Sequence, residues 1–145
     1  MMTVADNTTT IAEPMAEVPV RFPLGILGFE TYKQFVLVHA PEEAPFGWLQ
    51  VQGESRLAFL VLSPFLVVPD YQAEISEDDA RFLGLTMPGD ALIFNIVTLR
   101  AGSQATINLK GPIVINRRTL IGRQVVLVNA GQYQVQHPLP VSDAS

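Results

Sequence analysis

The chain has 145 residues, of which 48% are hydrophobic and 16% are charged, and its formal net charge is −5. This length suits one domain with a substantial core, and the low charged fraction predicts that part of the surface is apolar. Because the sequence contains no cysteine, disulfides, thiolate metal sites and cysteine nucleophiles are excluded, and a reducing compartment fits.

Charge is distributed unevenly along the chain. Every acidic residue except Asp143 lies within residues 1–90, whereas most basic residues lie within residues 91–145. This distribution predicts an acidic region that disfavours nucleic acid and favours a basic protein partner. The alternative is a solvated acidic face that serves only solubility.

The two ends of the chain are polar. Residues 1–17 are threonine-rich and have neither the basic start nor the apolar core of a secretory signal. We therefore predict a disordered N-terminal tail over 1–17, one domain over 18–139 and a C-terminal tail over 140–145. The longest apolar run, residues 57–69, is interrupted by prolines and is too short to span a bilayer, so we expect a cytoplasmic protein.

Short apolar runs separated by proline and glycine dominate the domain, which is typical of a mostly β protein. In chain order, the predicted strands are 18–22, 33–39, 46–52, 57–63, 91–99, 105–109, 113–116 and 124–128, with a short last strand over 132–136. A glycine-bearing bend separates the first two strands, and prolines interrupt the chain after residue 63.

One helix is predicted after residue 75. Ser76 is a favourable N-cap, and Asp79 stands three residues later, where a capping box places its acidic partner. Phe82 and Leu83 are expected to form its buried side, and Gly84 is expected to end it. We therefore predict a mostly β fold, an antiparallel β-barrel-like single domain with one short helix. A two-sheet sandwich is the alternative.

Six groups of residues, in a defined order, carry a resemblance to a known family. They are Leu-Gly-Ile-Leu-Gly-Phe-Glu at 24–30, Pro-Phe-Gly-Trp-Leu-Gln at 45–50, Ser-Pro-Phe at 63–65 with Pro-Asp-Tyr at 69–71, Asn-Ile-Val-Thr at 95–98, Asn-Leu-Lys-Gly-Pro-Ile-Val-Ile-Asn at 108–116, and Gln-His-Pro-Leu at 136–139. In this order they resemble the flagellar assembly factor FliW family. Two positions depart from it, since the family often has proline where Leu27 stands and alanine where Gly111 stands.

The resemblance implies a protein that switches between two partners in the cytoplasm. Members of this family bind newly made flagellin, and they also bind the RNA-binding regulator CsrA and block its repression of flagellin translation. We accordingly expect flagellin and CsrA as partners, no direct contact with nucleic acid or membrane, no cofactor and a monomeric state. The acidic balance of residues 1–90 is compatible with this expectation, because CsrA-like proteins are basic.

Asp70, Tyr71, Glu74 and Asp78 are the first candidates for partner binding. Together they predict an acidic patch with an aromatic centre, and tyrosine is enriched at binding hot spots. The alternative is that Tyr71 belongs to the core and that the helix acids only serve the cap and the helix dipole.

Three asparagines and an arginine are further candidates. Asparagine is depleted in strands, so Asn95, Asn108 and Asn116 each require a reason, either hydrogen bonding to a partner or to a turn of the chain itself. Arg117, next to Arg118, is a candidate for contact with acidic groups on flagellin; a solvated loop is the alternative.

The remaining residues give no indication of an enzyme. His39 and His137 stand in no metal-binding motif, the sequence has no Gly-x-Ser-x-Gly, and we predict that Trp48 packs in the core. The principal alternative function is a small-ligand-binding β-barrel carrier. Large apolar residues such as Phe35 and Phe94 instead predict a filled interior. A nucleic-acid-binding barrel is disfavoured by the acidic balance.

Overall fold

The structure, a computed structural model, describes residues 1–5, 16–53, 56–101 and 104–139. These residues form eleven strands and one α-helix, α1, over Glu77–Leu83. The strands are β1 Met2–Ala5, β2 Ala16–Arg21, β3 Gln34–His39, β4 Gly47–Val51, β5 Ala58–Leu62, β6 Gln72–Ile75, β7 Ala91–Arg100, β8 Gln104–Ile107, β9 Ile113–Asn116, β10 Gly122–Gln124 and β11 His137–Leu139.

Nine strands form one antiparallel sheet, and β1 and β6 form a separate two-stranded sheet. The large sheet follows the order β10-β9-β7-β5-β4-β3-β2, with β8 and β11 as a branch from β7. The long strand β7 makes this branch possible, because its first half pairs with β9 and its second half pairs with β8.

The two ends of the large sheet meet. Arg21 at the end of β2 forms a parallel bridge to Ile121, and the Arg21 amide donates a 3.0 Å hydrogen bond to the Leu120 carbonyl. The predicted mostly β, barrel-like fold with one helix is therefore confirmed. The ends are joined by a single bridge, not by a continuous ladder, so the sheet curls without closing into a complete barrel.

Two hydrophobic cores fill the molecule. One lies inside the curled sheet and contains Phe22, which follows β2, Phe35 of β3 and Leu49 of β4, together with side chains of β9. The other lies where the small sheet and α1 pack against β7, β8 and β9, and it contains Tyr71 and Leu83. Phe22 and Phe35 meet edge to face at 5.1 Å, a favourable arrangement for aromatic rings.

The bend that follows β2 depends on glycine. Gly25 has φ of +73°, and a Cβ at this position would lie 2.5 Å from the Cα of Glu30. A larger residue would therefore clash with the returning chain as well as adopt a strained backbone. This compact bend directs Leu27 outward, with 80% of the residue exposed.

The N-terminal residues differ from the prediction. Met2–Ala5 form β1, which pairs with β6 in the register Met2 to Ile75, so a disordered tail over 1–17 is wrong for this segment. The physical reason is burial, because Val4 is 1% exposed and enters the core beneath the small sheet. A four-residue strand with one buried side chain leaves little periodic signal. Residues 6–15 and 140–145 lie outside the described residues.

The C-terminal strands are also displaced from the prediction. β10 ends at Gln124, and the following residues bond to residues 110–112 without forming a regular strand. The predicted strand over 132–136 is wrong, because a 3-10 turn at Ala130–Gln132 precedes β11 at His137–Leu139. Pro138 lies in an edge strand, where its missing N–H leaves no partner unsatisfied.

The predicted helix is confirmed at both ends. The Ser76 hydroxyl accepts the Asp79 amide at 3.1 Å, and Gly84 ends α1 in the left-handed region at φ of +70°. Leu83 is buried as predicted, but Phe82 is 40% exposed. The Arg123 guanidinium lies 5.0 Å above the Phe82 ring. The ring therefore packs against a cationic side chain and not into the core.

Candidate partner-binding surfaces

The predicted carboxylates reach the surface on and around β6 and α1. Asp70 and Asp78 are exposed, and Glu74 is half-buried. Asp78 pairs with Arg81 one helical turn later at 3.2 Å, with both side chains more than 70% exposed, so solvent screens this pair strongly. These three carboxylates are called the acidic surface below.

Tyr71 does not belong to the acidic surface. Its side chain is fully buried, its hydroxyl donates a 2.8 Å hydrogen bond to the Leu109 carbonyl, and burial raises the pKa of the phenol. Its ring packs 5.6 Å from Phe65 and 4.6 Å from Tyr133. The prediction that Tyr71 is an aromatic docking residue is therefore wrong, and the alternative that Tyr71 belongs to the core is correct.

Asp79 differs from its neighbours in α1 because its charge is used within the molecule. Its carboxylate lies 2.9 Å from the Arg123 guanidinium and accepts the Ser76 hydroxyl at 3.1 Å. Its side chain is only 14% exposed. Asp79 therefore connects α1 to β10 and contributes little free charge to the acidic surface.

Asn116 is a structural residue. It is fully buried, and its amide nitrogen donates to the Leu83 carbonyl at 2.8 Å, while its oxygen accepts the amides of Arg118 and Thr119. These bonds fasten the C-terminal end of α1 to the turn between β9 and β10. A partner has no access to Asn116, so the turn-bonding alternative is correct.

Asn95 and Asn108 hold the point where the chain passes from β8 to β9. The Asn95 amide nitrogen donates to the Asn108 carbonyl at 2.6 Å, and the Asn108 side chain accepts the amides of Lys110 and Gly111. Asn95 is fully buried, and its carbonyl oxygen has no hydrogen-bond partner among the described residues. The predicted contact of Asn95 with a partner is therefore wrong.

Arg117 and Arg118 bind the chain that precedes β7. Arg117 Nε donates to the Gly89 carbonyl at 2.8 Å, and Arg118 lies 3.1 Å from the Asp90 carboxylate. Asp90 also accepts hydrogen bonds from the Thr86 amide and hydroxyl. These hydrogen bonds lower the pKa of Asp90 below its usual value, and the bond from the Thr86 amide has the largest effect. Arg117 is half-buried in this network, so its predicted contact with flagellin stays a prediction.

Trp48 is not a core residue. It lies half-buried on the outer face of β4, opposite the buried side chains of Leu49 and Val51, and its indole N–H donates to Glu43 at 3.2 Å. The core interpretation is wrong because β4 directs alternate residues to opposite faces, and Gly47, Leu49 and Val51 occupy the inner one.

Sequence reasoning missed a group of exposed apolar residues. Leu27 is 80% exposed, Val126 is 75% exposed and Val128 is 57% exposed. The Leu27 amide donates to the Gln124 side chain at 3.2 Å, so the bend after β2 lies beside the last residue of β10. These three residues are called the apolar outer surface below. The sequence Gln-Val-Val-Leu-Val at 124–128 is a continuous apolar run after Gln124, which predicts a strand but does not show which of its side chains are exposed.

The described residues contain neither a metal-binding cluster nor a membrane-spanning helix. No cluster of three or more histidine, cysteine or acidic side chains suitable for a metal ion occurs in the part that the structure describes. Within the same part, every helix is too short or too polar to cross a lipid bilayer. By its strands and its sheet order, the described part of the chain is a mostly β fold with one helix, a curled antiparallel sheet and exposed acidic and apolar side chains.

Comparisons with known proteins identify the family. The family model described as FliW protein matches residues 3–139, so the chain belongs to the FliW family. The flagellar assembly factor FliW of Leptospira biflexa is 40% identical over 108 residues, which are 73% of this chain and 71% of that protein. The protein of the same name from Desulfitobacterium hafniense is 38% identical over 128 residues, 88% of this chain and 84% of that protein.

A solved structure supports the same assignment. The crystal structure of a flagellar assembly factor FliW matches with a TM-score of 0.76 and 33% sequence identity, and the match covers 97% of this chain and 99% of that one. The resemblance found in the six groups of residues is thereby confirmed.

Proposed function

We propose that this protein is a cytoplasmic flagellar assembly factor that binds flagellin and the translational regulator CsrA, and so couples the level of flagellin to its translation. The observation that carries the proposal is membership of the FliW family over residues 3–139, together with relatives that are named flagellar assembly factors. The protein acts by binding and not by catalysis.

The acidic surface supports the proposal for CsrA. Asp70 and Asp78 are exposed and Glu74 is half-buried, so their charges are available to a basic protein. An RNA-binding regulator presents cationic side chains that otherwise meet phosphates. Carboxylates at the rim of an interface mainly accelerate association, and this acceleration decreases as salt is added.

The apolar outer surface supports the proposal for flagellin. Large exposed aliphatic side chains on a soluble protein often mark a partner site. We expect an amphipathic helix or terminal segment of flagellin to bind by its apolar face. Equal binding of a flagellin that lacks its helical ends would contradict this mode.

The carrier alternative receives no support from the interior of the sheet. The space inside the curled sheet is occupied by packed side chains, among them Phe22, Phe35 and Phe94. Phe35 also approaches Phe59 at 6.4 Å. A small ligand would have to displace these rings.

The test is a calorimetric titration of the purified chain with purified flagellin and, separately, with purified CsrA. The proposal predicts saturable binding of both, and it predicts that prior saturation with flagellin reduces the binding of CsrA. Absence of heat and of co-elution with either protein would overturn the proposal. Thermal unfolding of the same sample verifies that the chain is folded.

A further inference from the structure

A histidine covers the end of the curled sheet where β3 stops. His39 is the last residue of β3, and its side chain lies on the inner face with those of Phe35 and Leu37, because alternate residues of a strand share a face. The imidazole is half-buried, and its centre lies 5.5 Å from the centre of the Phe94 ring of β7. The ring of His39 therefore packs against the core inside the curled sheet.

The space for this ring depends on Gly47, the first residue of β4. A Cβ at position 47 would lie 2.7 Å from Nε2 of His39, which is closer than these atoms can approach. Gly47 is not among the glycines with a positive φ, so its backbone does not require glycine. The absence of a side chain at position 47 therefore serves the histidine ring.

The position of the ring suits only its neutral form. Nδ1 of His39 is buried and has no hydrogen-bond partner among the described residues. An imidazolium carries an N–H on both nitrogens, so protonation would leave a charged donor buried without an acceptor. Burial accordingly lowers the pKa of His39 below the ordinary 6.5.

Within the described residues, no charge faces the ring from the segments packed against it. β4 has no ionisable residue, and Arg100, the only one in β7, lies at the far end of that strand. Glu17 of β2 is exposed on the outer face. Glu42 and Glu43 of the 3-10 turn after β3 are also exposed, and Glu43 accepts the indole N–H of Trp48 on the outer face. A protonated ring would therefore have no counter-ion on the inner face.

We propose that His39 is a pH-sensitive switch: the neutral ring closes this end of the curled sheet, and the protonated ring turns out to water and opens it. Above pH 6.5, the ordinary pKa of histidine, both states are neutral and the closed state keeps its full stability. As the pH falls below that value, the open state binds the proton first, and the closed state loses stability until the pH reaches its own lower pKa. Each unit between the two pKa values raises the final ratio of open to closed molecules about 10-fold.

The test is acrylamide quenching of tryptophan fluorescence between about pH 8 and about pH 5, where histidine titrates and ordinary carboxyl groups stay ionised. Trp48 is the only tryptophan, it directly follows Gly47, and it bonds to Glu43, so it reports on this end of the sheet. We expect the quenching constant to rise at least about 2-fold below pH 6.5 as the half-buried indole becomes exposed. The far-ultraviolet circular dichroism should stay unchanged, because the opening is local.

A pair of histidine variants separates this switch from other titrations. His39→Phe keeps a ring against Phe94 but binds no proton, and its quenching should be the same at all pH values in the range. His137→Gln is the matched control, because it removes the other of the two histidines, and it should retain the rise. A rise that persists in His39→Phe, or an unmodified chain whose quenching does not change with pH, would overturn the proposal.

Gly47→Ala tests the geometry without a change of pH. Its Cβ displaces the His39 ring, so we expect this variant at about pH 8 to be quenched as strongly as the unmodified chain at about pH 5. Circular dichroism establishes that the variant is folded. A folded Gly47→Ala that is quenched no more than the unmodified chain at the same pH would refute the role of the ring. Loss of the circular dichroism signal of the unmodified chain over this range would also refute the switch, because it would show global unfolding.

Discussion

The turn between β9 and β10 and the apolar outer surface use their side chains in opposite ways. In the turn, Asn116 places both ends of its amide on backbone groups, and Arg118 is paired with Asp90. In the apolar outer surface, Val126 and Val128 leave most of their aliphatic area in water. The comparison teaches that the conspicuous polar residues hold the fold together, while inconspicuous aliphatic side chains remain exposed on the surface.

The largest expected effect is on the turn. Asn116→Ala leaves the Leu83 carbonyl and the amides of Arg118 and Thr119 without their partner. Because these groups lose hydrogen bonds at a buried residue, we expect the free energy of unfolding to fall by about 2–4 kcal/mol. Urea denaturation measures the change.

The matched control for this prediction is Gln136→Ala, since Gln136 is an exposed amide in the last loop. Its free energy of unfolding should change by less than about 0.5 kcal/mol. If Asn116→Ala were as stable as this control, the structural role of Asn116 would be refuted.

The pH dependence of stability tests the role of Asp90 in the same region. Hydrogen bonds from Thr86 lower the folded-state pKa of Asp90 below the ordinary 3.8. A carboxyl with a depressed folded pKa stabilises the fold above its unfolded pKa, and this contribution is lost as the pH falls through the folded pKa. The stability advantage of the unmodified chain over Asp90→Asn should therefore shrink below about pH 4 in urea unfolding at a series of pH values. An advantage that is constant or grows with acidity would contradict this assignment.

The buried tyrosine is the next test. Tyr71→Phe removes the hydroxyl that bonds the Leu109 carbonyl but keeps the ring that packs against Phe65 and Tyr133. We expect a loss of about 1–2 kcal/mol in the free energy of unfolding. Binding of flagellin and CsrA should be unchanged at temperatures where the variant is folded. A folded variant with weakened binding would return Tyr71 to the partner interface.

The smallest expected effect is kinetic. Neutralising the acidic surface with Asp70→Asn, Glu74→Gln and Asp78→Asn should slow association with CsrA several-fold at low salt and leave the stability nearly unchanged. Surface plasmon resonance at increasing salt should show that the difference disappears. Association with CsrA that is independent of salt in the unmodified chain would contradict an electrostatic contribution.

The helix and the central strands follow from local signals. Ser76, Asp79 and Gly84 carry cap chemistry that acts within one turn, so the prediction of α1 succeeded at both ends. Residues 91–95 of β7 and all four residues of β9 are buried on both faces, and these apolar runs could be assigned without knowledge of their neighbours.

The missed elements depend on contacts between distant parts of the chain. β1 forms because Val4 packs into a core made mainly of residues far along the sequence. The sequence of β6 is partly polar and directly precedes the helix, so by itself it does not indicate a strand that pairs with β1. The same limitation affects the candidate site. Tyr71 and Asn95 have the residue types of a binding surface, and only the fold places them inside.

The measurement that tests the proposed partner switch most directly is a competition experiment. Purified CsrA is bound to a labelled flagellin transcript leader, and this protein is added, followed by purified flagellin, while fluorescence anisotropy reports the RNA that remains bound. The proposal predicts that the protein releases the RNA from CsrA and that flagellin restores the CsrA–RNA complex. RNA that stays bound to CsrA at saturating protein would contradict it.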